Sequence, residues 1–177
     1  MQRDLRENLF GDAAWLGLDP VTRTFIATAE KVFRDHRDDD GFDFQAVLGS
    51  LAKAVEVEVN GSLRSALRKA PEAIRHANIE GETVDLGTHG ALSLGQLARA
   101  IGGERELNQH LTRSLENGSW YSAQLPPILD ELARARNPGA HAVRVPRETA
   151  QRWRERLVGV GCQGVLVDLA RCRPKGR

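Results

Sequence analysis

Residues 43–70 read "DFQAVLGSLAKAVEVEVNGSLRSALRKA", and the fold turns on how the patch from Val55 to Val59 is read. Taken alone, Val-Glu-Val-Glu-Val alternates apolar and polar like a strand. In its setting it lies inside a helical pattern: Phe44, Val47, Leu48, Leu51, Val55, Leu63 and Leu67 keep helical spacing behind Asp43, a capping residue. The local β preference of valine yields to that longer context. The stretch is therefore expected to be one long helix.

Working outward, "DPVTRTFIATAEKVFRDHRDDD" (19–40) starts a second long helix. Asp19 suits the N-cap and Pro20 the first helical position, where a missing N–H costs nothing. Val21, Phe25, Ala29, Val32 and Phe33 share its expected apolar face. Asp40-Gly41 reads as the turn between the two helices. Pro71 ends or kinks the 43–70 helix. Residues 77–92 are glycine-rich and polar, an irregular excursion with room for a small hairpin. Ser93 and Gln96 form a capping box for a short helix closed by Gly102-Gly103. Leu107, Leu111 and Leu115 make a stripe that stops at Asn117-Gly118. "SWYSAQLPP" (119–127) reads as a loop, followed by a helix from about Pro127. Pro146 opens another helix, with Val145, Thr149, Trp153, Leu157 and Val160 on one side. Gly161 and Gly164 mark a break before a last short helix. The expectation is an all-α single domain over residues 1–177: an antiparallel helical bundle with two long N-terminal helices, a middle insertion at about 77–92 and shorter C-terminal helices.

The composition narrows the function classes. A chain of 177 residues with 41% apolar and 28% charged content can bury a core, and it lacks the long apolar run that a membrane span requires. "MQRDLRENLF" has no apolar stretch of a secretory signal. Cys162 and Cys172 are too few for a disulfide framework, so a reducing cytoplasmic setting is expected. Histidines 36, 76, 89, 110 and 141 form no HxxxH pair, and Asp38–Asp40 lack calcium-loop spacing, so no metal site is read. There is no P-loop, no GxSxG and no other sign of a cofactor; "LGTHGALSLG" lacks a phosphate-cradling pattern. Cys162, in an apolar setting, reads as core. Charge is the more telling feature. Between Leu132 and Arg177, 11 Lys/Arg stand against 3 Asp/Glu, in a chain whose net charge is only +1. This basic segment either meets nucleic acid or complements the acidic stretch "RDHRDDDGFD" within the fold or across a dimer.

At the start of that segment, residues 132–145 read "LARARNPGAHAVRV". Arg136 and His141 stand on either side of Asn137-Pro138-Gly139. Arginine and histidine at this spacing recur by chance: Arg105 and His110 repeat it, and Arg134 also falls within range of His141. Arg105 and His110 sit in an uninterrupted helical pattern, where five steps turn them roughly 140° apart. The Pro-Gly break instead frees His141 from the helix that carries Arg136, so both side chains can face one cleft. Asn137 can orient either by hydrogen bonds. The plain alternative is that Arg136 steadies the C-terminus of its own helix and His141 is a loop residue without a task.

"RNPGAH" resembles the Arg-x(4–6)-His motif of the HEPN superfamily, in which a polar residue commonly follows the arginine. "FIATAEKVF" and "SLAKAVEVEVNGSLRSAL" resemble the two long helices of HEPN domains, including the positions of Glu56 and Asn60. "SLGQLARAI" and "LVGVGCQGVLVDLARC" resemble later helices of bacterial members. The resemblance spans about residues 20–172.

It implies a metal-independent endoribonuclease that acts on RNA as a homodimer, of the toxin or phage-defence type, with an antitoxin or regulatory protein as a further partner. Arg136 and His141 would be catalytic. Histidine titrates near neutrality and can serve as base or acid; arginine stays charged and grips phosphate oxygens. Asn137, Glu56, Asn60 and Lys53 would support the site. Lys53, Glu56 and Asn60 share a helix face, as a polar floor to a cleft or as surface residues pairing with one another. Arg134, Arg144 and Arg147 would hold RNA backbone or stand solvated. The sequence departs from HEPN toxins that carry an adenylylated tyrosine two residues after the histidine: Val143 stands there. The rival expectations are a non-catalytic HEPN-type module that binds RNA or a protein, and a purely structural helical dimerisation domain.

Overall fold

Proline at position 20 and the carboxylate of Asp19, which accepts from the Val21 N–H at 2.8 Å, open the first long helix as expected. The computed structural model describes residues 1–137, 144–159 and 163–176. It is an all-α structure whose one sheet, among the described residues, has two strands. Two compact units make it up: the described residues of Met1–Glu58 with Arg134–Ala170, and those of Val59–Ala133 with Arg171–Arg177.

The first unit begins with α1 (Gln2–Leu5), a π-helical turn (Arg6–Phe10) and α2 (Gly11–Gly17). Leu5, Phe10, Trp15 and Leu18 are buried. The five-residue steps from Leu5 to Phe10 and from Phe10 to Trp15 bracket the π-turn, so no α-helical period shows across those three residues. Next come α3 (Pro20–His36) and the start of α4 (Gln45–Leu67). Val55–Val59 is helical throughout, as the longer pattern requires. Within this unit α3 and α4 run antiparallel. The Asp19 N–H donates to Glu58 Oε1 at 2.6 Å, Thr22 Oγ1 donates to the Ala54 carbonyl at 3.5 Å, and the Phe33 and Phe44 rings lie 5.7 Å apart. The buried face of α3 differs from the expected one. Thr22, Ile26, Ala29 and Glu30 are buried, whereas Val21 is 51% exposed. The reason is polar: Glu30 is drawn inward by Arg154, whose Nε and Nη2 reach its two carboxylate oxygens at 2.5 and 2.9 Å. The Arg154 guanidinium also sits 5.2 Å from the centroid of the Phe33 ring.

The second unit takes over α4 at Val59 and continues through α5 (Glu72–Arg75), β1 (His76–Ile79), β2 (Glu82–Asp85), α6 (Leu94–Gly103), α7 (Arg105–Ser114), α8 (Gly118–Ala123) and the start of α9 (Leu125–Arg136). The excursion at 77–92 does contain a hairpin, with His76 opposite Asp85 and Ile79 opposite Glu82. Its turn has positive φ at both Glu80 (57°) and Gly81 (93°), the twist that matches antiparallel strands. The Ser93/Gln96 capping box is present.

Residues 119–127 are not the expected loop. α8 occupies 118–123 and α9 begins at Leu125, with Pro126 and Pro127 in its first turn, where proline is tolerated. Burial forces α8: Tyr121 is fully enclosed and its hydroxyl donates to the Val59 carbonyl at 3.0 Å. Asn108 Nδ2 donates to the Ser122 carbonyl at 2.9 Å. Gly118 allows the close approach of α7 and α8, since a Cβ there would lie 2.6 Å from the Leu111 carbonyl oxygen.

The first unit resumes at the end of α9 and includes α10 (Arg147–Val158) and α11 (Val165–Arg171) up to Ala170. Pro146 is the N-cap of α10, and Ala150, Trp153, Leu157 and Val158 are its buried side. The expected contributions of Val160 and Gly161 to this region, and the core reading of Cys162, lie outside the described residues. Among the described residues no helix is long and apolar enough to cross a membrane.

Candidate active site

The last turn of α9 carries Arg134 and Arg136. Arg136 does more than face a helix dipole. Its Nη1 donates to Glu56 Oε1 at 2.7 Å, and the two side chains are 30% and 19% exposed. The pair is thus half-sheltered: strong enough to orient the guanidinium, open enough to leave it within reach of a ligand. The Arg136 carbonyl is held as well, accepting from Gln45 Nε2 at 2.9 Å. Arginine and carboxylate were both read from the sequence as site residues, and the fold brings them together.

Asn137 follows in an exposed position at the end of the helix. His141 lies outside the described residues, as does Val143. Arg144 is exposed. Val145 is buried; its N–H donates to Asp43 Oδ1 at 3.0 Å and its carbonyl accepts from the Phe44 N–H at 3.1 Å. Arg147 is engaged: Nη1 donates to the Arg37 carbonyl at 3.0 Å and Nη2 lies 3.5 Å from Glu148. Arg134 is exposed.

The three residues expected to share the α4 face have separate duties. Lys53 is exposed, with its ammonium 5.8 Å from the Phe25 ring centroid. Glu56 holds Arg136. Asn60, in the second unit, is 7% exposed and spans one backbone residue: Nδ2 donates to the Leu92 carbonyl and Oδ1 accepts from the Leu92 N–H, both at 2.9 Å. That amide is occupied in tying down the segment before α6. Arg105 and His110, the second pair at Arg/His spacing, lie in the unbroken α7, and His110 Nε2 is 3.2 Å from the Ala66 carbonyl.

Sequence reasoning missed the contacts of Asp43, Gln45 and Arg37 with the flanks of the motif. Asp43 was legible as a helix cap, and it does accept from the Gln45 N–H at 3.0 Å. Its bond to Val145 spans 102 positions and leaves no local signal. Among the described residues no group of three or more His, Cys, Asp and Glu side chains is arranged to hold a metal ion.

Chemically, the arrangement offers a permanent cation of planar geometry, oriented by a carboxylate at the C-terminal end of α9. Such a fork suits two oxygens of a phosphate. No family model, curated protein or solved structure matches this chain.

Proposed function

We propose that this chain is an endoribonuclease that cleaves RNA by attack of its own 2′-OH, acting as a homodimer in a toxin or phage-defence role. The observation that carries the reading is the Arg136–Glu56 ion pair at the C-terminal end of α9, next to Asn137 and a few residues before His141. RNA brings the nucleophile, so the protein must supply proton transfer and positive charge. One imidazole removes the 2′-OH proton as O2′ attacks phosphorus. A second group protonates the departing O5′ as the P–O5′ bond breaks. The products are a 2′,3′-cyclic phosphate and a 5′-hydroxyl. Arg136 neutralises the crowded phosphorane, with Glu56 fixing the plane of its guanidinium. Two copies of Arg136 and His141 facing one another give base and acid together, which is the reason for the dimer. An antitoxin or regulatory partner belongs to the same reading, as does a cytoplasmic setting.

A second reading is favoured by the same arginine being held at both ends, through its carbonyl by Gln45 and through its guanidinium by Glu56. In a non-catalytic helical module that binds RNA or protein, this double hold would simply lock α9 to α4. The two readings separate in one experiment: RNA cleavage in EDTA by the wild type, His141→Ala and Arg136→Ala, each checked by thermal melting. The ribonuclease reading expects cleavage in EDTA that both substitutions abolish while His141→Ala melts like the wild type. Cleavage that survives both substitutions, or stops with EDTA, overturns it.

A further inference from the structure

The hairpin of the second unit has one covered edge and one open edge. An antiparallel ladder alternates between residue pairs that exchange backbone bonds and pairs that do not. The Leu86 N–H donates to the Arg75 carbonyl at 2.8 Å, so Ala77 with Val84 and Ile79 with Glu82 continue the bonded series. The backbone groups of His76 and Asn78 on β1, and of Thr83 and Asp85 on β2, therefore point outward. On the β1 side the Asn78 N–H donates to Glu104 Oε1 at 3.5 Å. On the β2 side the Asp85 carbonyl accepts from the Thr88 and His89 N–H groups at 3.1 and 2.8 Å. Among the described residues, the Asp85 N–H and both backbone groups of the exposed Thr83 meet no protein partner.

The open edge is held in shape. Glu80, in the turn, accepts from Arg99 Nη2 at 2.5 Å and from Gln96 Nε2 at 3.4 Å. Asn78 Oδ1 accepts from the Gly81 N–H at 3.0 Å, and Asp85 Oδ1 from the Gly87 N–H at 2.8 Å. Ala77 and Ile79 are buried. A strand fixed in this way loses little freedom when another chain pairs with it. Charge selects which chain that is. Glu80 is answered by Arg99, and Asp85 by Arg75 at 3.4 Å. The exposed Glu82 has no ion-pair partner among the described residues. Two copies paired antiparallel about Thr83 would set their Glu82 side chains diagonally on one face, where like charges repel.

We propose that the outer edge of β2 is a docking site for an extended basic segment of a partner protein, added antiparallel as a third strand. Thr83 exchanges two backbone bonds with one residue of the incoming strand, and the Asp85 N–H supplies a third. The incoming residue before that one lies across from Val84 and is apolar. The residue after it lies across from Glu82 and is Lys or Arg. The recognised pattern is thus apolar, any residue, basic. The site lies wholly in the second unit and stands whether or not the chain cleaves RNA.

The test uses the full chain, isotopically labelled, and the acetylated and amidated peptide Ser-Thr-Val-Thr-Lys-Ser. Amide NMR shifts and hydrogen exchange are read at Thr83 and Asp85. The expected result is a saturable shift centred on Thr83, Val84 and Asp85, with slower exchange of the Thr83 and Asp85 amides. N-methylation of the peptide threonine between valine and lysine removes the donor to the Thr83 carbonyl and weakens binding roughly tenfold. Replacing the peptide lysine by glutamate weakens it roughly fivefold, and Glu82→Lys in the protein reverses that preference. Glu82 is exposed, so this substitution leaves the core intact. The proposal is overturned if no saturable shift appears at Thr83 and Asp85, if the N-methylated peptide binds as well as its parent, or if Glu82→Lys leaves the charge preference unchanged. Protection of the same amides that grows with protein concentration in the absence of peptide would make a second copy the occupant and overturn it too.

Discussion

The guanidinium of Arg136 meets the carboxylate of Glu56 at 2.7 Å across 80 positions of sequence, joining the end of α9 to the middle of α4. Both side chains keep some access to solvent, so the pair contributes little to stability, about 1 kcal/mol or less. Its value lies in orientation. Arg136→Lys keeps the charge and a partner for Glu56 but loses the planar fork. We expect Arg136→Lys to unfold in urea within about 1 kcal/mol of the wild type; on the ribonuclease proposal, RNA cleavage falls roughly a hundredfold. Equal losses of stability and cleavage in this variant would assign Arg136 to packing instead.

Asn60 offers the opposite case, a residue first read beside the site that the fold uses for architecture. Its amide satisfies both backbone groups of Leu92, which is 3% exposed. Asn60→Ala strands a buried donor and a buried acceptor, at a cost of about 2 kcal/mol or more. The expected outcome is a lower urea midpoint with an unchanged m-value and, on the ribonuclease proposal, an unchanged kcat for the protein that remains folded. A lost kcat at wild-type stability would return Asn60 to the chemistry.

What was legible follows from the range of each interaction. The helical reading of Val55–Val59, the Asp19 cap and the Ser93/Gln96 box depend on neighbours within a turn or two, and all three are present. The orientation of α3 was not legible, because Glu30 is buried by Arg154, 124 positions away. The helix at 118–123 was hidden for a similar reason: its sequence is a poor helix, and Tyr121 and Ser122 are held by groups from α4 and α7. At the candidate site, Arg136 and Glu56 were each readable as types, but their contact was not. Asp43 showed its local bond to Gln45 and concealed its distant bond to Val145.

The Glu30–Arg154 pair yields a prediction about stability. Glu30 is 4% exposed and receives two hydrogen bonds from one guanidinium. Arg154→Ala leaves that carboxylate buried without its main partner and is expected to cost roughly 3 to 5 kcal/mol. Replacing both residues with apolar ones, Glu30→Leu with Arg154→Met, removes the stranded charge and is expected to recover most of the loss. Denaturant melts of the single and double variants form the check. A double variant as unstable as Arg154→Ala would show that the pair stabilises by more than mutual neutralisation.

Tyr121 reports on the second unit through pH. It is the only tyrosine in the chain, so phenolate absorbance belongs to one residue. Burial raises its phenol well above the ordinary value near 10, and a nearby Cys172 adds to the shift. The sign follows from which state holds the proton. Folded Tyr121 stays neutral where the unfolded chain has already lost its phenolic proton. Its contribution to stability is therefore complete below pH ~10 and declines as pH rises beyond that point toward the raised value. In an alkaline titration the phenolate signal is expected to lag a free tyrosine and then to rise steeply together with loss of helical circular dichroism. Tyr121→Phe, which keeps the ring and forfeits the bond to the Val59 carbonyl, is expected to lose about 1 kcal/mol at neutral pH and to regain ground against the wild type as pH climbs. A smooth phenolate titration near pH ~10 with helicity intact would mean that the hydroxyl reaches water, and would remove the burial of α8 as the cause of its helical form.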